Sequence, residues 1–332
     1  MKKNTYAISK VTAVIVGVLL AIAVAGAAVF VIITTYLSIP QAVELNVGYS
    51  NPAAQFVPVF IAKEKGFFEQ NGLKVTLVLF RGGTPTVQAL IAGDIQFAEV
   101  GASAVVRSAL AGSDLVMIAG IVNTFPFHFY VTPDINTPSD LRGKIAGVTR
   151  FGSSTHQAIL FALQRWGLDP NKDVTIIELG DIGAMLAALD KRQIQLTVLV
   201  PPETLKAKEL GLKYFGSLTE LGVDYLDMGI AASKTYLQNN GDIAKRFLKA
   251  MRQAMEFYFT DKEGSLNLLE KFLGVSDRKL LEETYNFYLT IYSRNLELKP
   301  STIKTILDSL ASDVPAAKTA DPTKFIDASY LG

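Results

Sequence analysis

The chain has 332 residues, of which 49% are hydrophobic and 19% are charged, and its formal net charge is +1. That length gives room for one large domain or two lobes, and the near-neutral charge gives no electrostatic basis for binding nucleic acid. The sequence contains no cysteine, which excludes a disulfide scaffold, thiolate chemistry, cysteine-based zinc sites and a lipid-bearing cysteine anchor.

A long uncharged segment near the start of the chain predicts export. Val11–Val43 contains no charged residue, and Lys2, Lys3 and Lys10 precede it. A run of this length spans a bilayer, and the lysines predict an N-terminus inside and the bulk of the chain outside. We favour an uncleaved anchor over a cleaved signal peptide, because the run exceeds the usual apolar core of a signal peptide. Residues 1–43 are therefore expected to be a cytosolic tail, a transmembrane anchor or signal peptide, and a linker.

Beyond this segment the hydrophobic pattern alternates between strand and helix. In the first half it predicts strands at Val43–Tyr49, Lys74–Phe80, Phe97–Val100 and Leu115–Val122, and helices at Phe56–Gly66, Pro85–Ala92 and Ala104–Ala111. Thr84 is expected to cap the second of these helices. In the second half it predicts strands at Lys144–Val148, Val174–Leu179 and Leu196–Val200, and helices at Ser154–Trp166 and Ile182–Arg192.

The two halves also contain short segments of similar amino-acid sequence. Asn71–Leu73 precedes a strand as Trp166–Leu168 does, and Asp94–Phe97 parallels Gln193–Leu196. This repetition favours two similar α/β lobes. One continuous doubly wound sheet is the alternative.

The rest of the chain is predicted to be helical. Apolar residues recur at three- and four-residue spacing in Asp242–Phe259, Lys262–Phe272, Asp277–Tyr292 and Ser301–Ser312. An aromatic stripe on these helices is interpreted as packing and not as a cofactor site; it consists of Phe257, Tyr258, Tyr285, Tyr288 and Tyr292.

The stretch Gly147–Thr155 runs from a predicted strand through glycine into a predicted helix. Ser154 and Gln157 have the spacing of a capping box. Free N–H groups and the positive end of the helix dipole would make this loop a binding site for a polar or anionic molecule. A capped surface helix with nothing bound has the same sequence pattern. Similar strand-exit loops follow Tyr49, Phe80, Val100, Leu179 and Val200. Ligands bind at such strand ends in open α/β sheets.

Signatures of catalysis are scarce. The two histidines, His128 and His156, have no metal-ligand spacing, and Ser153 and Ser154 have no assignable base. Gly82–Gly83 belongs to neither a Walker loop nor a dinucleotide fingerprint. Polar donors that converge without a nucleophile, a base or a metal indicate binding, and we expect no enzyme activity, cofactor or metal.

Several motifs together resemble the nitrate/sulfonate/taurine-type solute-binding proteins of ABC importers, a family that is similar to the thiamine-pyrimidine synthases. Ala62–Val75 resembles the family's A-K-E-x-G-F-F…G-L-x-V signature. Gln88–Ile95 matches its Q-A-L-x-A-G-D-I motif, with Gln96 in place of the usual aspartate. Asp140–Lys144 and Gly147–Thr155 resemble its entry to the second lobe. The resemblance extends over residues 44–330.

This resemblance implies a periplasmic-binding-protein type II fold, in which two α/β lobes are joined by two crossover strands. The crossovers are expected near Val122–Pro126 and Gly222–Met228, with one lobe at 44–126 plus 226–332 and the other at 127–225. The resemblance also implies a ligand-binding cleft lined by Asn51, Arg81, Gly82, Gly83, Thr84, Gly101, Ala102, Ser103, Asn123, Arg150, Gly152, Ser153, Ser154, Thr155, Asp181, Pro201, Pro202 and Glu203.

The implied function is that of an extracytoplasmic solute-binding component of an ABC importer. Its partners would be a small molecule, permease subunits with an ATPase, and the membrane through the N-terminal helix, with no nucleic acid. The protein would act as a monomer at the outer face of the cytoplasmic membrane or in the periplasm of a prokaryote. Helix N-termini and Arg150 favour a small organic anion.

Two alternatives remain at this point. A sensor lobe could signal through a partner protein, because the short internal tail holds no signalling domain of its own. A pyrimidine-synthesising enzyme has the same fold. The resemblance disfavours the enzyme, since those enzymes rely on cysteines that this chain lacks.

Overall fold

The computed structural model describes residues 15, 17–22, 24, 42–218, 224–311 and 313–332. The anchor or signal segment predicted for residues 1–43 lies largely outside this description, and its described residues, 15, 17–22 and 24, are helical. Among all described residues, no helix combines the length and the apolar character that a membrane span requires. Val43–Gly332 forms one compact unit.

The first lobe is built on a five-stranded sheet with the order β2-β1-β3-β10-β4. Its strands β1, β2 and β3 are parallel, and β10 runs antiparallel to both β3 and β4. The strands are β1 (Val43–Tyr49), β2 (Leu73–Leu79), β3 (Phe97–Gly101), β4 (Leu115–Thr124) and β10 (Asp224–Ser233). They are rich in Val, Leu and Ile, as strands covered on both faces are.

The second lobe repeats this arrangement in a sheet with the order β7-β6-β8-β5-β9. Here β6, β7 and β8 are parallel, and β5 runs antiparallel to β8 and β9. The strands are β5 (His128–Val131), β6 (Lys144–Val148), β7 (Val174–Glu178), β8 (Leu196–Leu199) and β9 (Lys213–Ser217). The two separate sheets show that the alternative of one continuous sheet is wrong.

The chain passes from the first sheet to the second between Thr124 and His128, and β10 begins the return at Asp224. Each sheet therefore contains one antiparallel strand, β10 or β5, that comes directly after the chain has changed lobes. The residue limits predicted for the lobes stay a prediction.

Helices cover both sheets. They are α1 (Val57–Glu64), α2 (Phe67–Gln70), α3 (Gly83–Ala92), α4 (Ala102–Leu110), α5 (Ser154–Arg165), α6 (Ile182–Asp190), α7 (Glu203–Glu209), α8 (Lys234–Asn239), α9 (Gly241–Thr260), α10 (Lys262–Leu273), α11 (Arg278–Ile291) and α12 (Pro300–Leu310). Short 3₁₀ helices lie at Ala54–Phe56, Pro138–Leu141, Pro315–Lys318, Pro322–Phe325 and Ala328–Tyr330.

The C-terminal helices pack on the first lobe, and aromatic rings form much of that contact. Phe247 of α9 stacks on Phe97 of β3, with ring centroids 4.3 Å apart, and on Phe68 of α2 at 5.2 Å. Each such pair contributes about 0.5–1.5 kcal/mol beyond its buried area. In the predicted aromatic stripe Tyr258, Tyr285, Tyr288 and Tyr292 are buried. Their rings contact one another, so the stripe is packing, as predicted.

Two predicted helix caps are wrong. Helix α3 begins at Gly83 with Gly82 as its N-cap, and the Thr84 hydroxyl donates instead to the Phe151 carbonyl oxygen at 2.7 Å. Helix α5 has Ser153 as its N-cap, and neither side-chain polar atom of Gln157 has a hydrogen-bond partner among the described residues, so no capping box forms.

Candidate functional site

A cavity lies between the lobes at the carboxyl ends of the parallel strands. It encloses about 340 Å³ of empty space, part of it open to solvent. Its interior is narrow, with room for little more than one water molecule. Both sheets contribute, because the loops after β1 and β3 meet the loop after β6 here. The lining residues are Ser50, Asn51, Gln55, Phe56, Gly83, Gly101, Phe127, Thr149, Ser153, Ser154, Thr155, Ile182 and Asp227.

Part of the predicted site lines this cleft cavity. The residues that do so are Asn51, Gly83, Gly101, Ser153, Ser154 and Thr155. All of them follow a predicted strand, so the strand-end rule placed them there. The same rule could have found Ser50 and Thr149, which directly follow β1 and β6. Five further residues line the cavity that the sequence does not predict there: Gln55, Phe56, Phe127, Ile182 and Asp227.

Other predicted residues form contacts between the lobes beside the cavity. The Thr84 hydroxyl donates to Phe151 O, and the Ser103 hydroxyl lies 3.5 Å from Gly152 O. A Cβ atom on Gly82 would lie only 2.4 Å from Arg150 Cγ, so only glycine permits this approach. These residues hold the lobes together at the edge of the cavity.

The two predicted arginines also lie at this edge and do not line the cavity. Arg81 donates through Nη1 to Asp181 Oδ2 of the other lobe, and its side chain stays 64% exposed. Arg150 donates to the Thr149 carbonyl oxygen at 3.0 Å, and its guanidinium lies near Gly180. Asp181 is the N-cap of α6 and accepts from the Ala184 N–H at 2.9 Å.

The remaining predicted residues do not line the cavity. Ala102 is buried at the start of α4, and the Asn123 amide donates to Glu297 O at 3.0 Å. Pro201 and Pro202 precede α7. Glu203 is the first residue of α7, and burial raises the pKa of its carboxyl, although Lys206 at 3.8 Å opposes the rise.

A cluster of hydroxyl groups forms the second lobe's wall of the cavity. Thr149, Ser153 and Thr155 lie within 2.9–3.0 Å of one another through their side-chain oxygens. The Thr149 N–H donates to Thr155 Oγ1 at 3.0 Å, and Ser153 Oγ donates to Arg150 O at 2.7 Å. These bonds fix the loop at the start of α5.

Asp227 faces this wall from β10. It is 1% exposed, and neither of its carboxylate oxygens has a hydrogen-bond partner among the described residues. Burial raises the pKa of Asp227 to about 7, and the nearby Ser154 hydroxyl opposes part of the rise. That hydroxyl donates to the Asp227 main-chain oxygen at 3.2 Å and thereby joins the two lobes.

Neither histidine takes part in a metal site that the structure describes. His128 lies between the rings of Tyr214 and Phe287. His156 accepts from the Gly152 N–H through Nδ1 at 3.1 Å and lies outside the cleft cavity. Within the described parts of the chain, no three or more His, Asp or Glu side chains are grouped to hold a metal ion.

Comparison with known proteins identifies the family. Residues 53–264, well over half of the chain, match the model of the family described as NMT1/THI5 like. The chain belongs to this family. A relative of similar size is the taurine-binding periplasmic protein of Escherichia coli strain K12, which is 26% identical over 281 residues that cover 81% of this chain and 85% of that protein.

Solved structures match the fold of the NMT1/THI5-like chain over most of its length. A protein from Bordetella bronchiseptica RB50 has a TM-score of 0.78 and 22% identity, covering 88% of this chain and 96% of that one. The alkanesulfonate-binding protein SsuA from Xanthomonas axonopodis pv. citri, bound to MOPS, has a TM-score of 0.71 and 23% identity, covering 87% and 98%. The two-lobed periplasmic-binding-protein fold predicted from the sequence is confirmed.

Proposed function

We propose that this protein is the extracytoplasmic solute-binding component of an ABC importer. The observation that carries the proposal is the cleft cavity itself, which lies between two lobes and is lined by strand-end loops of both. A solute that contacts both lobes stabilises their closed arrangement, and opening releases it. The names of relatives support a transport role: taurine-binding, riboflavin-binding and formylaminopyrimidine-binding proteins are among them.

The solute enters when the two lobes separate. Because the closed cavity has room for little more than one water molecule, a larger solute requires the lobes to separate first. Separation breaks the Arg81–Asp181 ion pair and the hydrogen bonds from Thr84 to Phe151 and from Ser154 to Asp227. The first two of these contacts lie at the cleft edge and the third lies in the cavity itself. We propose that they separate in a hinge motion about the two crossover segments.

We also propose where the protein acts and which partners it has. The protein acts as a monomer, with lobes at 44–126 plus 226–332 and at 127–225, and carries out no catalytic step. It hands its solute to permease subunits that work with an ATPase. The uncharged N-terminal segment holds it at the outer face of the cytoplasmic membrane, or directs it to the periplasm, with the N-terminus inside. The predicted cleft residues, with Gln55, Phe127, Thr149, Ile182 and Asp227 added, form the binding site.

Calorimetric titration of the purified full-length chain tests this proposal. We expect one saturable site for at least one member of a panel of amino acids, sulfonates, inorganic anions, pyrimidines and flavins. At a hundredfold excess over Kd, binding stabilises the folded chain by about 2.7 kcal/mol, which raises the melting temperature by several degrees. Absence of saturable binding and of any thermal shift across the panel would contradict a solute-binding function.

A further inference from the structure

Two polar side chains are buried where helices α4 and α5 of the two lobes meet, outside the cleft cavity. Arg107 belongs to α4 of the first lobe, and Gln157 belongs to α5 of the second. Nε and Nη2 of Arg107 and both polar atoms of Gln157 are buried and have no hydrogen-bond partner among the described residues. Leaving buried polar groups unpaired costs free energy, so this contact contains groups that oppose it.

Arg107 reaches the second lobe at the start of α5. A Cβ atom on Gly152 would lie 3.4 Å from Arg107 Cδ and 3.8 Å from its Nε. Gly152 precedes Ser153, the N-cap of α5, so the guanidinium approaches the positive end of this helix dipole. Its charge also reaches His156 in the first turn of α5, where burial first and then Arg107 lower the pKa of the imidazole. Like polarities therefore meet when the lobes are together.

The first lobe compensates this charge only weakly. Arg107 Nη2 lies 3.8 Å from Asp313 Oδ2, which is longer than a hydrogen bond. Asp313 follows α12 of the same lobe, so this ion pair does not join the two lobes. When the lobes part, water replaces α5 beside the guanidinium and supplies acceptors for its N–H groups.

Gln157 faces the first lobe from within α5 and is 1% exposed. Three residues before it, the Ser154 hydroxyl donates to Asp227 O of β10 at 3.2 Å. Four residues after it, the ring of Phe161 lies 6.1 Å from that of Phe125 in the first crossover segment. Residues three and four apart share a face of a helix, so Gln157 lies on the face that meets the first lobe. Opening of the lobes returns its amide to water.

We propose that Arg107 and Gln157 limit the affinity of the cleft for its solute by opposing closure of the lobes. Closure transfers their polar atoms from water into a contact without hydrogen-bond partners, and the bound solute has to offset that cost. This inference rests on the proposed solute-binding function and adds that residues outside the cleft set its affinity. Replacing them with apolar side chains of similar length should therefore strengthen binding.

The first test measures closure of the full-length chain without solute. Because the chain has no cysteine, dyes can be attached through Gln88→Cys on α3 and Ala187→Cys on α6, two exposed positions one in each lobe. Single-molecule fluorescence energy transfer then gives the ratio of closed to open molecules. We expect Arg107→Met/Gln157→Met to raise this ratio about fivefold or more.

The matched control removes an arginine that lies elsewhere on the first lobe. Arg278 contacts Glu263 and Glu282 on the helices α10 and α11. Arg278→Met changes the net charge by the same amount as Arg107→Met, and it should leave the ratio of closed to open molecules within twofold of the unaltered chain.

The second test measures affinity by calorimetric titration with a solute that binds the unaltered chain. Arg107→Met/Gln157→Met should bind it about fivefold or more tightly, because less free energy is lost on closure. Arg107→Lys keeps a positive charge at this position and should bind within about twofold of the unaltered chain. A structural defect alone would weaken binding and would not give this pattern.

The remaining outcomes separate the inference from the solute-binding function. An unchanged closed fraction with unchanged affinity, or weaker binding by the double variant, overturns the inference and leaves the solute-binding function standing. An equal rise in closed fraction for Arg278→Met also overturns it, because net charge and not burial would be the cause. If the double variant does not fold, Arg107→Met and Gln157→Met are measured singly and judged in the same way. If no solute binds, the solute-binding function fails and the limit on affinity fails with it.

Discussion

At the scale of single residues, His156 is held neutral by its surroundings. It lies in the first turn of α5 and accepts a hydrogen bond from the Gly152 N–H through Nδ1. Burial, with the charge of Arg107 added, lowers the pKa of His156 from 6.5 to about 4. A protonated imidazole would lose this acceptor atom and would meet the positive end of the helix dipole.

This shift predicts how His156 affects the pH dependence of stability. Between pH 6.5 and about 4 the unfolded chain binds a proton at this site and the folded chain does not, so the free energy of unfolding falls as the pH falls. His156→Asn keeps an acceptor near the Nδ1 position and removes the titration. Urea unfolding at pH 7 and pH 4.5 should show that the unaltered chain loses roughly 2 kcal/mol more than the variant.

Comparison with the variant cancels the other titrating groups, because Asp227 and the remaining carboxyls are present in both chains. The prediction concerns only the difference between the two pH profiles. Parallel profiles from pH 7 to pH 4.5 would mean that His156 titrates alike in the folded and unfolded chains.

Single residues of the cleft could be predicted only where a local pattern marks them. Gly101 directly follows a predicted strand, Asn51 stands two residues after one, and Ser154 begins the helix predicted after a third. The end of a parallel strand is a recognisable position. No such local pattern identifies Asp227, because it lies inside β10 and not at the end of a parallel strand. It lines the cavity because β10 crosses between the lobes. Gln55 lies in a 3₁₀ helix, and no local signal indicates that its amide faces the cavity.

At the scale of elements, the start of α4 approaches the start of α5 so closely that it limits closure of the lobes. A Cβ atom on Gly101 would lie 2.4 Å from Ser154 Oγ of the other lobe. Gly101 has φ −63° and ψ 127°, which any residue adopts, so alanine causes no backbone strain within the first lobe. The obstacle therefore exists only when the lobes are together.

We predict that Gly101→Ala weakens solute binding about tenfold and leaves the melting temperature of the free chain nearly unchanged. Overpacking of about 1–3 kcal/mol in the closed state is the reason. Adding Ser154→Ala removes the obstructing oxygen and should recover part of the lost affinity, which a double-mutant cycle measures. As a control, Gly183→Ala meets its nearest neighbour, Asp181 Oδ1, at an ordinary 3.4 Å and should bind as the unaltered chain does. Equal affinity of Gly101→Ala and the unaltered chain would argue against closure in this geometry.

Most elements could be predicted because their patterns are local. The parallel strands β1, β3, β6 and β8 and the helices after them follow hydrophobic periodicity and glycine stops. The strands β5 and β9 were missed, because His128–Val131 and Lys213–Ser217 are short and lack a clean alternation. These strands pair with partners that are distant in the sequence, β5 with β8 and β9. The spacing of hydrophobic residues within a strand carries no information about such distant partners.

At the scale of the whole molecule, the lobes meet through groups that belong to separate sheets. The contacts include the ion pair of Arg81 with Asp181, of which the arginine is largely exposed. Exposed ion pairs contribute about 0–1 kcal/mol and are screened by salt, so this pair alone does not hold the lobes closed. Closure therefore depends on the groups in the cleft and on a solute that joins them.

A disulfide across the cleft should convert this closure into a switch. The Cβ position of residue 83, at the start of α3, lies 3.8 Å from Ser153 Cβ at the start of α5. Disulfides have Cβ–Cβ separations of about 3.5–4.5 Å, and the chain has no cysteine of its own to interfere. The double variant Gly83→Cys/Ser153→Cys should therefore form an intramolecular bond when it is oxidised, and only while the lobes are closed.

The order of treatment then decides the outcome. The variant oxidised before a solute is added should bind at least tenfold more slowly than its reduced form, because the narrow cavity admits solute only when the lobes separate. Oxidised with solute already bound, it should retain that solute through gel filtration, and a thiol reductant should release it. The single variants Gly83→Cys and Ser153→Cys show whether either substitution itself alters affinity. Entry of solute at the same rate in the oxidised and reduced double variants would refute a cycle of opening and closing, since the cross-linked lobes cannot part.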